Sequence, residues 1–173
     1  MKNWVKILFF LFTCFAFISC DRATKNMAKT HLKNQESISY FHDTFRLEYA
    51  ENTGAALSLG DELPKATSLW LLSILPLCFL VVLFIYTIKN ARRMSFIKMF
   101  SLALLFSGGI GNIIDRILFD RHVTDFMNLG INNIRTGIFN VADICVTAGA
   151  IGLILFYKGK LPPKRVNPIL SAN

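Results

Sequence analysis

Four long apolar runs, separated by polar stretches, organise this chain. The first covers residues 4–20 and is interrupted only by Lys6 near its start. The second, residues 66–88, carries no charge at all. The third, residues 96–114, has its apolar centre at Met99 to Ile114, and the fourth, residues 138–157, is broken by one charge, Asp143. Lipid offers no partners to backbone N–H and C=O groups, so runs of this length predict helices. The fold expected is an all-α integral membrane protein with four transmembrane helices. One further pattern interrupts the long stretch between the first two runs. In "TFRLEYAENTGAALSLG" apolar residues alternate at Phe45, Leu47 and Tyr49, and Asn52-Thr53-Gly54 follows as a turn signal. That predicts a small β-containing extracytoplasmic loop region. Residues 1–158 read as a single four-helix domain and residues 159–173 as a basic cytoplasmic tail.

Charge fixes the orientation. Ten Lys and Arg residues, and no acidic ones, flank the ends that share one side if four helices alternate: Lys2 and Lys6, Lys89 to Lys98, and Lys158 to Arg165. Positively charged flanks stay inside. Both termini are therefore expected in the cytoplasm, with both long loops outside. The net charge of +8 is accounted for by this asymmetry, which removes the reason to expect a nucleic-acid partner. A mean hydropathy of +0.46 agrees with the membrane class. The four cysteines (14, 20, 78 and 145) lie in or at the ends of apolar runs and form no CxxC pair, so they read as helix residues.

"FISCDRATK", residues 17–25, raises a question of its own. Ser19-Cys20 after a short apolar run resembles a lipoprotein cut site, with Cys20 as the lipid-bearing first residue of a mature chain. Phe17 is bulky for a position three before the cut, and three further apolar runs follow. Cys20 is therefore read as an uncut helix residue. Asp21 and Lys25, spaced i and i+4, then form an ion pair at the outer helix end.

Polar residues at the edges of the third and fourth runs carry the chemistry. In "SGGIGNIIDR", Asn112, Asp115 and Arg116 share one helix face, and in "FNVADICV", Asn140 and Asp143 do the same. A carboxylate at mid-bilayer costs roughly 2.5–3.5 kcal/mol, so Asp143 belongs against protein or water. Asp125, in "HVTDFMN", is expected on the loop before the fourth helix. Ser107 with Gly111, and Ala148 with Gly152, are small-residue pairs that let these two helices approach closely. Asp115 beside Arg116 reads equally as a salt-bridged helix end. Three scattered histidines show no metal spacing, and no metal or cofactor is expected. "SFIK" has Ser-x-x-Lys spacing, but Ser95 and Lys98 lie on the cytoplasmic side, away from the polar cluster. A small proton or solute carrier using Asp143 and Asp115, and a structural membrane subunit, remain as rival classes.

Five separated pieces then resemble one family, bacterial prolipoprotein signal peptidase (signal peptidase II): "DRATK" (21–25), "ENTGAALS" (51–58), "GGIGNIIDR" (108–116), "VTDF" (123–126) and "FNVAD" (139–143). Their order relative to the four apolar runs also matches. The resemblance implies an aspartyl endopeptidase of the bacterial inner membrane. Such an enzyme cuts lipid-modified prolipoproteins on the amino side of the diacylglyceryl-cysteine and is inhibited by globomycin. It implies Asp125 and Asp143 as the catalytic pair. Asp21, Lys25, Asn52, Gly54, Asn112, Asp115, Arg116 and Asn140 fall at positions that support the site or hold substrate. The sequence departs from the family pattern at Leu57, where an aromatic is usual, and at Thr136-Gly137, where a Trp-Pro commonly precedes Phe139. Arg121 also stands where a glycine is frequent. Two carboxylates suit amide hydrolysis because one, ionised, activates water while the other, protonated, serves as acid. The site is expected near the outer membrane face, with membrane lipid around it.

Overall fold

The computed structural model describes residues 3–54 and 63–156. Thr53 and Gly54 are thus included. Leu57, the rest of the 55–62 segment and the 159–173 tail lie outside the described residues.

The first helix, α1 (Asn3–His31), runs uninterrupted through Cys20 and the DRATK segment. The expected end at residue 20 is therefore corrected. No proline or glycine stands between Asn3 and His31, and the acidic and basic residues after Cys20 find partners on the same helix and its neighbours. At 1.5 Å per residue, its 29 residues span about 44 Å, more than the roughly 30 Å of a hydrocarbon core. Lys6, the one charge in the apolar start, is satisfied by the carbonyl oxygens of Arg92 (3.3 Å) and Met94 (2.5 Å).

The second apolar run is a continuous Lys65–Arg93 helical stretch with changing pitch. It begins as α2 (Lys65–Leu69), widens into a π-turn (Trp70–Ile74), continues as α3 (Leu75–Asn90) and closes in a 3₁₀ turn (Ala91–Arg93). Pro76 explains the widening: it lacks an N–H and its ring crowds the carbonyl one turn earlier. Helix α4 (Phe96–Leu118) starts at Ser95, whose side chain accepts the Lys98 N–H at 3.2 Å. Ser95 of the Ser-x-x-Lys spacing is thus a helix cap. Helix α5 (Val141–Leu155) starts three residues later than expected, because Asn140 is extended (φ −132°, ψ −178°) and caps it.

Three helical stretches, Asn3–His31, Lys65–Arg93 and Phe96–Leu118, are long and apolar enough to cross a membrane; α5 is a shorter apolar helix. Phe12, Phe15, Val82 and Leu155 are exposed on the outside of the bundle, as a lipid-facing surface requires. Inside, Phe10, Phe84 and Phe106 stack with ring centroids 5.4–6.1 Å apart. Helices α4 and α5 touch backbone to backbone. A Cβ on Gly108 would lie 2.3 Å from the Ala142 carbonyl oxygen, and one on Gly149 would lie 2.7 Å from the Leu105 nitrogen. Only glycine permits that approach.

A four-stranded antiparallel sheet, in order β1-β2-β3-β4, covers one end of the bundle: β1 (Ile38–Tyr40), β2 (Phe45–Asn52), β3 (Val123–Ile131) and β4 (Ile134–Arg135). Strand β2 follows the alternation read in the sequence. Strand β3 was not anticipated, and Asp125 sits within it rather than on a loop. Ala50 lies opposite Asp125 and Asn52 opposite Val123, after an irregularity between Leu47 and Ala50. Because side chains alternate across a strand, Phe126 packs against Ala28 and Leu32 of α1 while Asp125 turns towards α5.

Candidate active site

Asn140 joins the two candidate carboxylates. Its side-chain Nδ2 donates to Asp125 Oδ1 at 2.6 Å, and its backbone N–H donates to Asp143 Oδ2 at 3.0 Å. The second bond is half of a capping box. The Asn140 Oδ1 accepts the Asp143 N–H at 3.0 Å, so residue and cap hold each other. The helix N-terminus favours negative charge there. Asp125 is fixed from the other side by Asn52 Nδ2, 3.1 Å from its Oδ2. Asp143 Oδ1 accepts from Asn112 Nδ2 at 2.8 Å. Each of the four carboxylate oxygens thus accepts one N–H.

The Asp125 carboxyl is pushed up from 3.8 to about 6. Burial is the largest cause, followed by the charge of Asp143; hydrogen bonds from Asn52 and Asn140 and the nearby Lys25 oppose the rise. Both carboxylates line a cavity of about 410 Å³ together with Asn52, Asn112, Arg116 and Val123 on one side and Thr136 to Phe139, Val146 and Thr147 on the other. Thr136 and Gly137, two departures noted in the sequence, therefore form part of the cavity wall.

A buried charge cluster stands behind the cavity. Lys25 lies 2.9 Å from Asp21 Oδ2 and 2.9 Å from Asp115 Oδ2, and all three side chains are almost wholly buried. The expected Asp21–Lys25 ion pair is present. Asp115 is a different matter: its partners are Lys25 and Arg22, not Arg116. Arg116 instead donates to the Gly54 carbonyl (2.8 Å) and the Asn112 carbonyl (3.5 Å), fastening the end of β2 to α4. Its Nε is buried without a hydrogen-bond acceptor among the described residues. Gly54 closes an Asx turn, its N–H bound to Asn52 Oδ1 at 2.9 Å. Asp21 reaches further, accepting the Ala142 N–H at 2.9 Å at the start of α5.

Eight of the ten residues singled out in the sequence line this cavity or form the cluster behind it, while Asn140 bridges the two carboxylates and Gly54 accepts from Arg116. Arg22 was not among them. Its signal was present, since it shares a helix face with Lys25 at i and i+3. Arg121 has φ 76°, the left-handed region where glycine is usual, and its Nε donates to Ser68 at 3.0 Å. Among the described residues, no group of three His, Cys, Asp or Glu side chains is placed to hold a metal ion.

A helical membrane bundle with a small sheet over one end and two carboxylates, one buried and one half-buried, held by one asparagine at a cavity defines the class, a membrane-embedded enzyme of the aspartic type. Residues 13–158 match the family model Peptidase_A8, described as signal peptidase (SPase) II. Curated relatives named lipoprotein signal peptidase include one from Chlorobium phaeobacteroides, 37% identical over 86% of this chain and 89% of the relative. Another, from Clostridium tetani, is 39% identical over 80% of this chain and 85% of the relative. Two solved structures described as a bacterial membrane enzyme superpose with TM-scores of 0.68 and 0.67 at 26% and 28% identity. They cover 92% and 90% of this chain and 94% of each of those chains. The chain belongs to the signal peptidase II family.

Proposed function

We propose that the chain removes the signal peptide from lipid-modified prolipoproteins, cutting on the amino side of the diacylglyceryl-cysteine, with Asp125 and Asp143 as the catalytic pair. The observation that carries this is the shared Asn140, which brings a strand carboxylate and a helix carboxylate to one cavity wall.

The two carboxyls share one proton, because burial and mutual repulsion disfavour double ionisation. A water held between them loses a proton to the ionised carboxylate and attacks the scissile carbonyl carbon. The protonated carboxyl gives its proton to the carbonyl oxygen. The resulting tetrahedral intermediate collapses when the amide nitrogen takes a proton from the pair, the C–N bond breaks, and one hydroxyl of the intermediate returns its proton to the pair. The pair titrates as a unit, so base and acid roles belong to the dyad. Arg116, whose guanidinium lines the cavity and whose Nε has no acceptor among the described residues, holds a substrate carbonyl.

The enzyme sits in the bacterial cytoplasmic membrane with four spans, α5 being the fourth, both termini inside and the cavity near the outer face. There the substrate's acyl chains stay in lipid while the peptide bond meets water. Globomycin-type inhibitors compete for the same cavity. The test supplies purified protein with a diacylglyceryl-modified preprolipoprotein. Wild type cleaves it; Asp125→Asn and Asp143→Asn do not. Wild-type rates in either variant overturn the assignment.

A further inference from the structure

Three asparagines face the carboxylate pair, and each is aimed by a donor that cannot reverse. An asparagine amide has an accepting and a donating end of nearly equal size, so its neighbours decide which end points where. Asn52 Oδ1 is held by the Gly54 backbone N–H at 2.9 Å, and Asn140 Oδ1 by the Asp143 backbone N–H at 3.0 Å. Asn112 Oδ1 is held by the Lys25 ammonium at 2.9 Å, with Asn140 Nδ2 a longer contact at 3.2 Å. Each amide nitrogen is thereby left facing a carboxylate oxygen. The backbone aims Asn52 and Asn140 locally. Asn112 alone relies on a side chain from another helix.

We propose that Lys25 is a positioning residue. By holding Asn112 Oδ1, it ensures that an N–H rather than an oxygen faces Asp143, which fixes that carboxylate in the cavity for the reaction. This rests on the dyad assignment above. The ammonium is suited to the role because it has three protons and no acceptor. Three oxygens stand 2.9 Å from it, those of Asp21, Asp115 and Asn112. Two are carboxylates that hold the lysine, and the third is the amide it aims. A plain structural function would not need this third contact, since the cluster is already neutral with Arg22 and Lys25 against Asp21 and Asp115.

Were Asn112 to turn over, its oxygen would face the Asp143 carboxylate and the N–H that holds that group would be lost. Turnover would then fall while substrate affinity held. Charged groups around the pair on the packed elements are Asp21, Arg22 and Lys25 of α1 and Asp115 and Arg116 of α4; β2 contributes the uncharged Asn52. The test must therefore keep the local charge constant. The double variant Asp21→Asn with Lys25→Met removes one charge of each sign, and the asparagine introduced at position 21 can still accept the Ala142 N–H.

The expected result is a roughly tenfold loss of kcat with KM unchanged. The same double substitution added to Asn112→Ala should cost no more than Asn112→Ala alone. A wild-type kcat, or an equal additional loss in the Asn112→Ala background, overturns the proposal. Lys25→Gln with Asp21→Asn provides the check should the first double variant not fold. It keeps an N–H for Asn112 Oδ1, so kcat must stay within about threefold of wild type, and a roughly tenfold loss overturns the proposal. Failure of the dyad assignment is separate, since it shows as cleavage by Asp125→Asn or Asp143→Asn.

Discussion

Replacing Asp125 by Asn should abolish cleavage and make the protein more stable at the same time. The carboxyl is 3% exposed and its folded pKa is raised from 3.8 to about 6. A group raised in this way contributes its stabilisation when protonated, fully below about 3.8, and loses it as pH rises through about 6. Above that range the ionised side chain costs about 3 kcal/mol, at about 1.36 kcal/mol per pH unit. Asparagine carries no charge and escapes that cost. It keeps an acceptor for Asn140 Nδ2, but its own amide faces Asn52 Nδ2, sacrificing a bond of about 1 kcal/mol. The net gain is about 2 kcal/mol at pH 8, or about 4–8 °C in melting midpoint for a chain of this size. The assay is thermal unfolding of purified wild type and Asp125→Asn in detergent between pH 4 and pH 8, with cleavage measured on the same samples. The variant's advantage must grow with pH and turn into a deficit of about 1 kcal/mol near pH 4, where the wild-type carboxyl is neutral. An Asp125→Asn protein that melts below wild type at pH 8, or an advantage independent of pH, refutes the reasoning.

Other outcomes follow from the same geometry. Loss of the proton the pair shares should give kcat/KM of wild type an alkaline limb with an apparent pKa near 6 for the free enzyme, read from a pH–rate profile. Gly111→Ala places a Cβ 2.7 Å from Asp21 Oδ2 and 3.2 Å from the Ala142 Cβ, so it should push α5 from α4, costing about 1–3 kcal/mol in unfolding and most of the cleavage activity. Cleavage should persist in excess chelator, since no described trio of ligating side chains converges. Mass spectrometry of the purified chain should show Cys20 unmodified and internal, as its place in the middle of α1 requires.

The helices were legible because lipid removes every alternative for an apolar run, and the polar residues of the third and fourth runs because charge in such surroundings demands a partner; the site roles of Asn52 and Gly54 came only with the family resemblance. The site's strand was less legible. Val123 to Phe126 are all buried, since the strand packs against both α1 and α4, and the period-two pattern that revealed β2 is absent there. The length of α1 was hidden for a related reason. Its last three turns are polar, yet Asp21 and Lys25 are buried against α4 and α5 by contacts that no local pattern announces. Partner choice was the least readable feature. Asp115 and Arg116 are adjacent in sequence, but successive helix residues point about 100° apart, so one turns to Lys25 and the other to Gly54.

Asp143, a reacting group in the proposed mechanism, is also the third residue of its own helix, bonded to the cap that starts it. Fraying that opening turn disarms the enzyme long before the bundle comes apart. A bilayer or detergent whose thickness strains the short last helix should therefore silence turnover while leaving the protein folded by every global measure.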